Sequence, residues 1–138
     1  SALVLVYPSL HDGILPPNAE LERLLQGVPA SNVFTPESRS VINRNYLPDE
    51  GADSEGYAFA GGHDVAGFPP TLIVNAERDS LRASGEAFAG ELAAASVDVR
   101  TVRQRGAMHG YLNEVGNPAA ERTLVLIADA VDPQRRTL

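Results

Sequence analysis

The sequence predicts an α/β fold, with about three parallel strands, flanking helices and a helical insert on one side. Two short runs, Ala2–Tyr7 (ALVLVY) and Thr71–Ala76 (TLIVNA), are apolar at almost every position. Strands buried on both faces read this way, and such strands belong to the interior of a parallel sheet. A third run, Val97–Gln104 (VDVRTVRQ), alternates apolar and polar residues as an outer strand does. Helical periodicities separate the three runs, so crossovers join them rather than hairpins, and those crossovers are right-handed.

The elements follow in order. Pro8 stops the first strand, because it can offer no N–H to a ladder. After the loop HDGILPPN, Asn18 is placed to cap a short helix whose Leu21, Leu24, Leu25 and Val28 share a face, and Gly27 and Pro29 end it. Thr35 is the next N-cap, with Pro36 at the first helical position and Glu37 near the positive end of the dipole. Val41, Ile42 and Tyr46 form a modest apolar stripe on that helix, which Pro48 terminates. The glycine-rich stretch DEGADSEGYAFAGGHDVAGFPP has no periodicity and reads as a long loop, functional or poorly ordered.

Beyond the second strand, Asp79 or Ser80 is expected to cap a helix that turns Leu81, Phe88, Leu92 and Ala95 inward. Asn117-Pro118 opens a last helix, with Ala120, Leu124, Ile127, Ala128 and Val131 expected inward. Pro133 closes it, and QRRTL is a tail.

At 138 residues the chain has the size of one domain and can bury roughly 70% of its unfolded surface. A net charge of -7 without clustered Lys or Arg disfavours nucleic acid and anionic membranes. The absence of cysteine excludes disulfides, thiol catalysis and thiolate metal sites. No apolar run approaches the ~20 residues of a membrane-spanning helix, and the opening SALVLVYPSLHDG lacks the basic leader of a secretory signal. A cytoplasmic location is therefore expected. Neither a cofactor nor a metal is expected: His11 and His63 stand without convergent partners and read as surface residues, and FAGGHD lacks the context of a phosphate loop.

Two positions carry chemistry. In open parallel sheets reactive groups gather beyond the carboxyl ends of strands. Asp79 lies three residues past Ala76, and His109 five past Gln104. Taken alone, an Asp before a helix is a cap and a loop histidine is surface filler. Taken together, an Asp and then a His after successive strands form the second half of the Ser…Asp/Glu…His order of α/β-hydrolases. A carboxylate that accepts the Nδ1 proton leaves Nε2 free to take a proton from a hydroxyl.

At these residues the chain resembles the C-terminal half of an α/β-hydrolase of the hormone-sensitive-lipase-like esterase family. FPPTLIVNAERDSLRASGEAFAGEL resembles that family's strand, acid loop and helix, and VRQRGAMHGYLN its histidine loop. ALVLVYP is similar to the strand after the nucleophile helix, and TPESRSVINRNYLPD to the cap-side helix. The resemblance implies that Asp79 is the triad acid and His109 the general base. It implies one domain portion over residues 1–138, with an insert or cap-side region over about 9–70, and an ester as substrate. It departs from the family at Ser80, where proline is usual, near Ala83, where an acid is usual, and at YAFAGGHDV, where the family has its Ser-Pro motif before the second strand.

The chain contains no G-x-S-x-G elbow and no H-G-G-G-type oxyanion loop. It therefore reads as the latter part of a hydrolase, whether a truncated or split gene product or a relic, and is expected to be inactive by itself. Its partner is expected to be a missing N-terminal half, or a second copy meeting it through strand 2–7, because that strand would otherwise be an apolar edge. The alternatives are a non-catalytic interaction module derived from a hydrolase and a fragment of a prolyl-oligopeptidase-type peptidase.

Overall fold

The computed structural model describes residues 1–47 and 55–132. Pro48, Pro133, the QRRTL tail and the start of the long loop lie outside the described residues. Within them the chain forms β1 (Leu3–Val6), α1 (Ala19–Leu25), α2 (Pro36–Tyr46), β2 (Thr71–Arg78), α3 (Arg82–Ala94), β3 (Val99–Met108) and α4 (Pro118–Val131). Single 3-10 turns occupy Ala30–Asn32 and Tyr111–Asn113. The strands build one open, fully parallel sheet in the order β1-β2-β3, in agreement with the α/β class expected from the run of strands and helices.

β2 is the central strand, and its first six residues are all buried. Side chains of a strand alternate between faces, so its buried residues serve two cores. Ile73 joins Phe88 and Leu92 of α3 together with Val65 and Val97, while Ala76 joins Ala107, Tyr111, Ala119 and Ala120 on the α4 side. Each large aliphatic or aromatic side chain buried here contributes roughly 1.5–3 kcal/mol. β1 is apolar throughout but only half-buried, because it lies at the sheet edge.

Several local expectations require correction. Both β2 and β3 run further than the hydrophobic patterns imply, to Arg78 and Met108, so His109 follows its strand directly. Thr101, which the alternation Val97, Val99, Thr101 sets on the apolar side of its strand, is exposed, whereas Gln104 on the polar side is buried. Neither Asp79 nor Ser80 is the N-cap of α3. That position falls to Leu81, without a side-chain bond, while Asp79 Oδ1 accepts the Leu81 N–H at 2.9 Å in the turn before the helix.

The stripe Val41, Ile42 and Tyr46 on α2 is exposed, and Arg39 is the buried residue. Polar anchoring sets this rotation: Asn43, one turn beyond Arg39, donates to the Asp12 carbonyl and carboxylate at 2.6 and 2.7 Å. Likewise α4 buries Ala119, Ala120 and Thr123, leaving Leu124, Ala128 and Val131 exposed. Thr123 Oγ1 meets Tyr111 Oη at 2.7 Å and accepts from Gln104 Nε2 at 2.9 Å. Buried polar groups must be paired, and this one cluster outweighs the apolar periodicity further along the helix. The caps at Asn18, Thr35 and Asn117 stand where the sequence places them.

Part of the long loop is structural rather than loose. Phe59 and Val65 are buried, and the Phe68 ring packs on Phe88 with centroids 6.0 Å apart.

Candidate active site

The site begins with an irregularity in strand pairing. Ala76 of β2 is level with Gln104, yet Arg78 is level with Met108, so two steps on β2 match four on β3. The extra residues form a bulge that contains Gly106, whose φ of 74° is a conformation that favours glycine. The Gly106 N–H, left out of the ladder, donates to Glu77 Oε2 at 2.7 Å. An unbroken register would set Ala107 beside Asp79. The bulge advances β3 by two residues and delivers His109 to that position instead.

Gly110, with φ 81°, then turns the chain sharply into the Tyr111–Asn113 turn. Glycines of positive φ thus stand on both sides of the histidine.

Asp79 and His109 meet. His109 Nδ1 lies 2.8 Å from Asp79 Oδ2, and Oδ1 of the same carboxylate is held by the Leu81 N–H. The Asp79 side chain is 1% exposed and that of His109 26% exposed, so the imidazole reaches outward from a buried carboxylate. An ionised carboxylate only accepts. It therefore fixes the proton on Nδ1 and leaves the Nε2 lone pair available. Such a charge-assisted bond is roughly twice as strong as a neutral one.

Aromatic rings surround the imidazole. The Tyr7 ring, just past β1, is 4.6 Å from it and tilted, and Phe34 stands 4.8 Å away edge-on. Tyr7 in turn meets Tyr111 at 5.4 Å. Burial, then the neighbouring Asp79 charge, raises the Tyr7 phenol above its ordinary value, so it stays neutral. Sequence patterns did not single out Tyr7 or Phe34 for the site. For Tyr7 the available signal was its place, an aromatic residue at a strand end.

Ser80, beside Asp79 in the chain, accepts the Phe34 N–H through Oγ at 2.9 Å and is 6% exposed. It braces the loop and does not face the imidazole as a nucleophile. His63 is exposed, as expected.

His11 is not a surface residue. Its side chain is 13% exposed, with Nδ1 2.7 Å from Ser84 Oγ and Nε2 2.9 Å from Glu91 Oε1. Although this too is a Ser–His–carboxylate set, both ring nitrogens are engaged, and Ser84 is buried while accepting the Leu10 N–H. The set fastens the start of the insert to α3. Sequence spacing concealed it because its members are 73 and 80 residues apart.

Comparison with known proteins gives a consistent result. A family model described as the alpha/beta hydrolase fold matches residues 1–113. The carboxylesterase NlhH of Mycobacterium tuberculosis (strain ATCC 25618 / H37Rv) is 42% identical over 53 residues, which are 38% of this chain and 17% of that protein. Among solved structures, the hyperthermophilic esterase of the archaeon Pyrobaculum calidifontis superposes with a TM-score of 0.75 at 26% identity, covering 94% of this chain and 42% of that one. EstE1, a thermostable carboxylesterase cloned from a metagenomic library, gives a TM-score of 0.72 at 30% identity, with coverages of 92% and 42%. The chain thus spans less than half the length of these relatives. Among the described residues, no helix is long and apolar enough to cross a membrane.

Proposed function

The chain belongs to the α/β-hydrolase fold family, in its hormone-sensitive-lipase-like esterase group, and on that premise we propose that it is the C-terminal part of a serine ester hydrolase. In this reading Asp79 is the triad acid and His109 the general base. The observation that carries it is the 2.8 Å contact between His109 Nδ1 and a buried Asp79 carboxylate at adjacent strand ends. That arrangement sets the tautomer that base catalysis needs.

The reaction is acyl transfer through an acyl-enzyme. A serine hydroxyl, supplied from outside residues 1–138, attacks the ester carbonyl while its proton passes to His109 Nε2. The carbon–oxygen bond to the alcohol then breaks, and the alcohol leaves with that proton. Water repeats the sequence: its oxygen bonds to the acyl carbon as His109 takes its proton, the acyl–serine bond breaks to release the carboxylic acid, and the serine oxygen recovers that proton from His109. Asp79 holds the imidazole in place and stabilises the imidazolium that forms. Short or medium acyl esters are the proposed substrates, bound by a single domain portion in which residues from about 9 to 70 shape the pocket.

β1 supports the partner proposal. Its far edge has no neighbouring strand among the described residues, although Leu3, Val4, Leu5 and Val6 are all apolar. An N-terminal half, or a second copy of the chain, is proposed to cover it.

A fusion tests the assignment. The chain alone is expected not to hydrolyse p-nitrophenyl esters. Placed behind an N-terminal segment that carries a G-x-S-x-G elbow and oxyanion donors, it is expected to do so. Turnover by the isolated chain that disappears on His109→Ala contradicts the first expectation. A folded but inert fusion contradicts the second.

A further inference from the structure

One hydrogen bond fixes one atom of an imidazole and leaves the ring free to swing about that contact. We propose that Tyr7 and Phe34 are positioning residues, two aromatic walls that remove this freedom and keep His109 Nε2 in one direction. The proposal deepens the hydrolase reading and rests on it for the importance of that direction.

The strongest support is backbone strain. Tyr7 has φ 37°, a region that bulky residues rarely enter. It also precedes Pro8, which favours extended backbone at the residue before it. The strain does not arise from a lost ladder bond, since the Tyr7 N–H still donates to the Val74 carbonyl at 2.7 Å. Strained residues persist where surrounding contacts over-determine them, typically at functional sites. Here the kink sends the Tyr7 ring onto the imidazole at 4.6 Å and against Tyr111 at 5.4 Å. Tyr111 is a firm backstop: it is fully buried and its hydroxyl is bonded to Thr123 at 2.7 Å.

The second wall is tied to the acid loop itself. The Phe34 N–H is held at 2.9 Å by Ser80, the residue after Asp79. The Phe34 backbone is thereby tied to the acid loop, and its ring stands edge-on to the imidazole at 4.8 Å. Ring pairs in tilted and edge-on geometry are attractive beyond simple burial. The two walls come from segments on either side of α1, so holding the imidazole also joins the insert to the sheet.

The test uses the 15N-labelled chain and long-range 1H–15N spectra of its histidine rings, with His11→Gln and His63→Gln for assignment. Wild type is expected to show His109 as a single tautomer protonated at Nδ1, with that proton slow to exchange with water. Tyr7→Leu and Phe34→Leu, which retain apolar bulk, are each expected to accelerate the exchange by about fivefold or more and to mix the tautomers. Tyr7→Phe is expected to match wild type, because the ring face and not the hydroxyl is used.

The His11 signals report the fold independently, through the link to Ser84 and Glu91. Unchanged His109 exchange in both leucine variants overturns the clamp. So does Tyr7→Phe behaving like Tyr7→Leu, and so does a loss of the His11 signature in step with that of His109. A wild-type His109 protonated at Nε2 instead overturns the hydrolase reading, which separates the two failures.

Discussion

Asp79 uses both of its carboxylate oxygens, one on the Leu81 N–H and one on His109 Nδ1. Asn at this position still accepts through one oxygen, but its amide can present hydrogens to the imidazole and reverse the tautomer. In the fusion, Asp79→Asn is therefore expected to lower kcat by about 10^4 with little change in KM, measured by initial rates on p-nitrophenyl butyrate. An unchanged kcat removes Asp79 from the proposed role. His11 provides the contrast, since its nitrogens are committed to Ser84 and Glu91. His11→Ala strands two buried or half-buried partners and is expected to lower unfolding stability by about 1–3 kcal/mol in urea titration. The meeting of Asp79 and His109 was legible in the sequence because each closely follows a strand. His11 was not, because nothing local marks a histidine whose partners lie on a helix far along the chain.

At the scale of elements, polar contacts corrected what apolar periodicity implied. The rotation of α4 is set by Thr123 between Tyr111 and Gln104, and that of α2 by Asn43 on Asp12. Caps and strand cores depend on neighbours in sequence and were readable; the register shift at Gly106, a pairing property of two strands, was not.

α3 carries a close approach that offers a sharp test. A Cβ on Gly85 would lie 2.1 Å from Asn75 Oδ1, in a side chain that is 2% exposed. In an open helix Gly→Ala stabilises by roughly 0.5–1 kcal/mol. Here Gly85→Ala is expected to destabilise instead, by about 1–3 kcal/mol, and a raised urea midpoint would contradict the packing.

The link from α1 to α3 depends on pH. The side-chain hydrogen bond from Arg82, at 2.6 Å, holds the Glu20 carboxyl below its ordinary 4.5 despite some opposing desolvation. A depressed folded value means that this stabilisation is present above the unfolded value and is lost as pH falls through the folded one. Glu20→Gln should therefore melt below wild type at pH 7, and the gap should close under acid conditions. A gap that persists in acid rejects the ion pair as its source.

Over the whole molecule, the parallel sheet and its flanking helices agree with what apolar runs between helical periodicities imply. β1 lies at the sheet edge, as expected, with side chains that are all apolar yet only half-buried. Sedimentation of the isolated chain is expected to show self-association through that edge, and a well-behaved monomer with β1 in water would contradict the partner proposal. The central claim is that this chain contributes the base and the acid that orients it to an ester hydrolase. Its most direct measurement is the rate of p-nitrophenyl butyrate hydrolysis by the fusion, with His109 intact and as His109→Ala. The expected result is turnover that falls by about 10^3 or more in the variant. Equal rates from the two proteins would contradict the account.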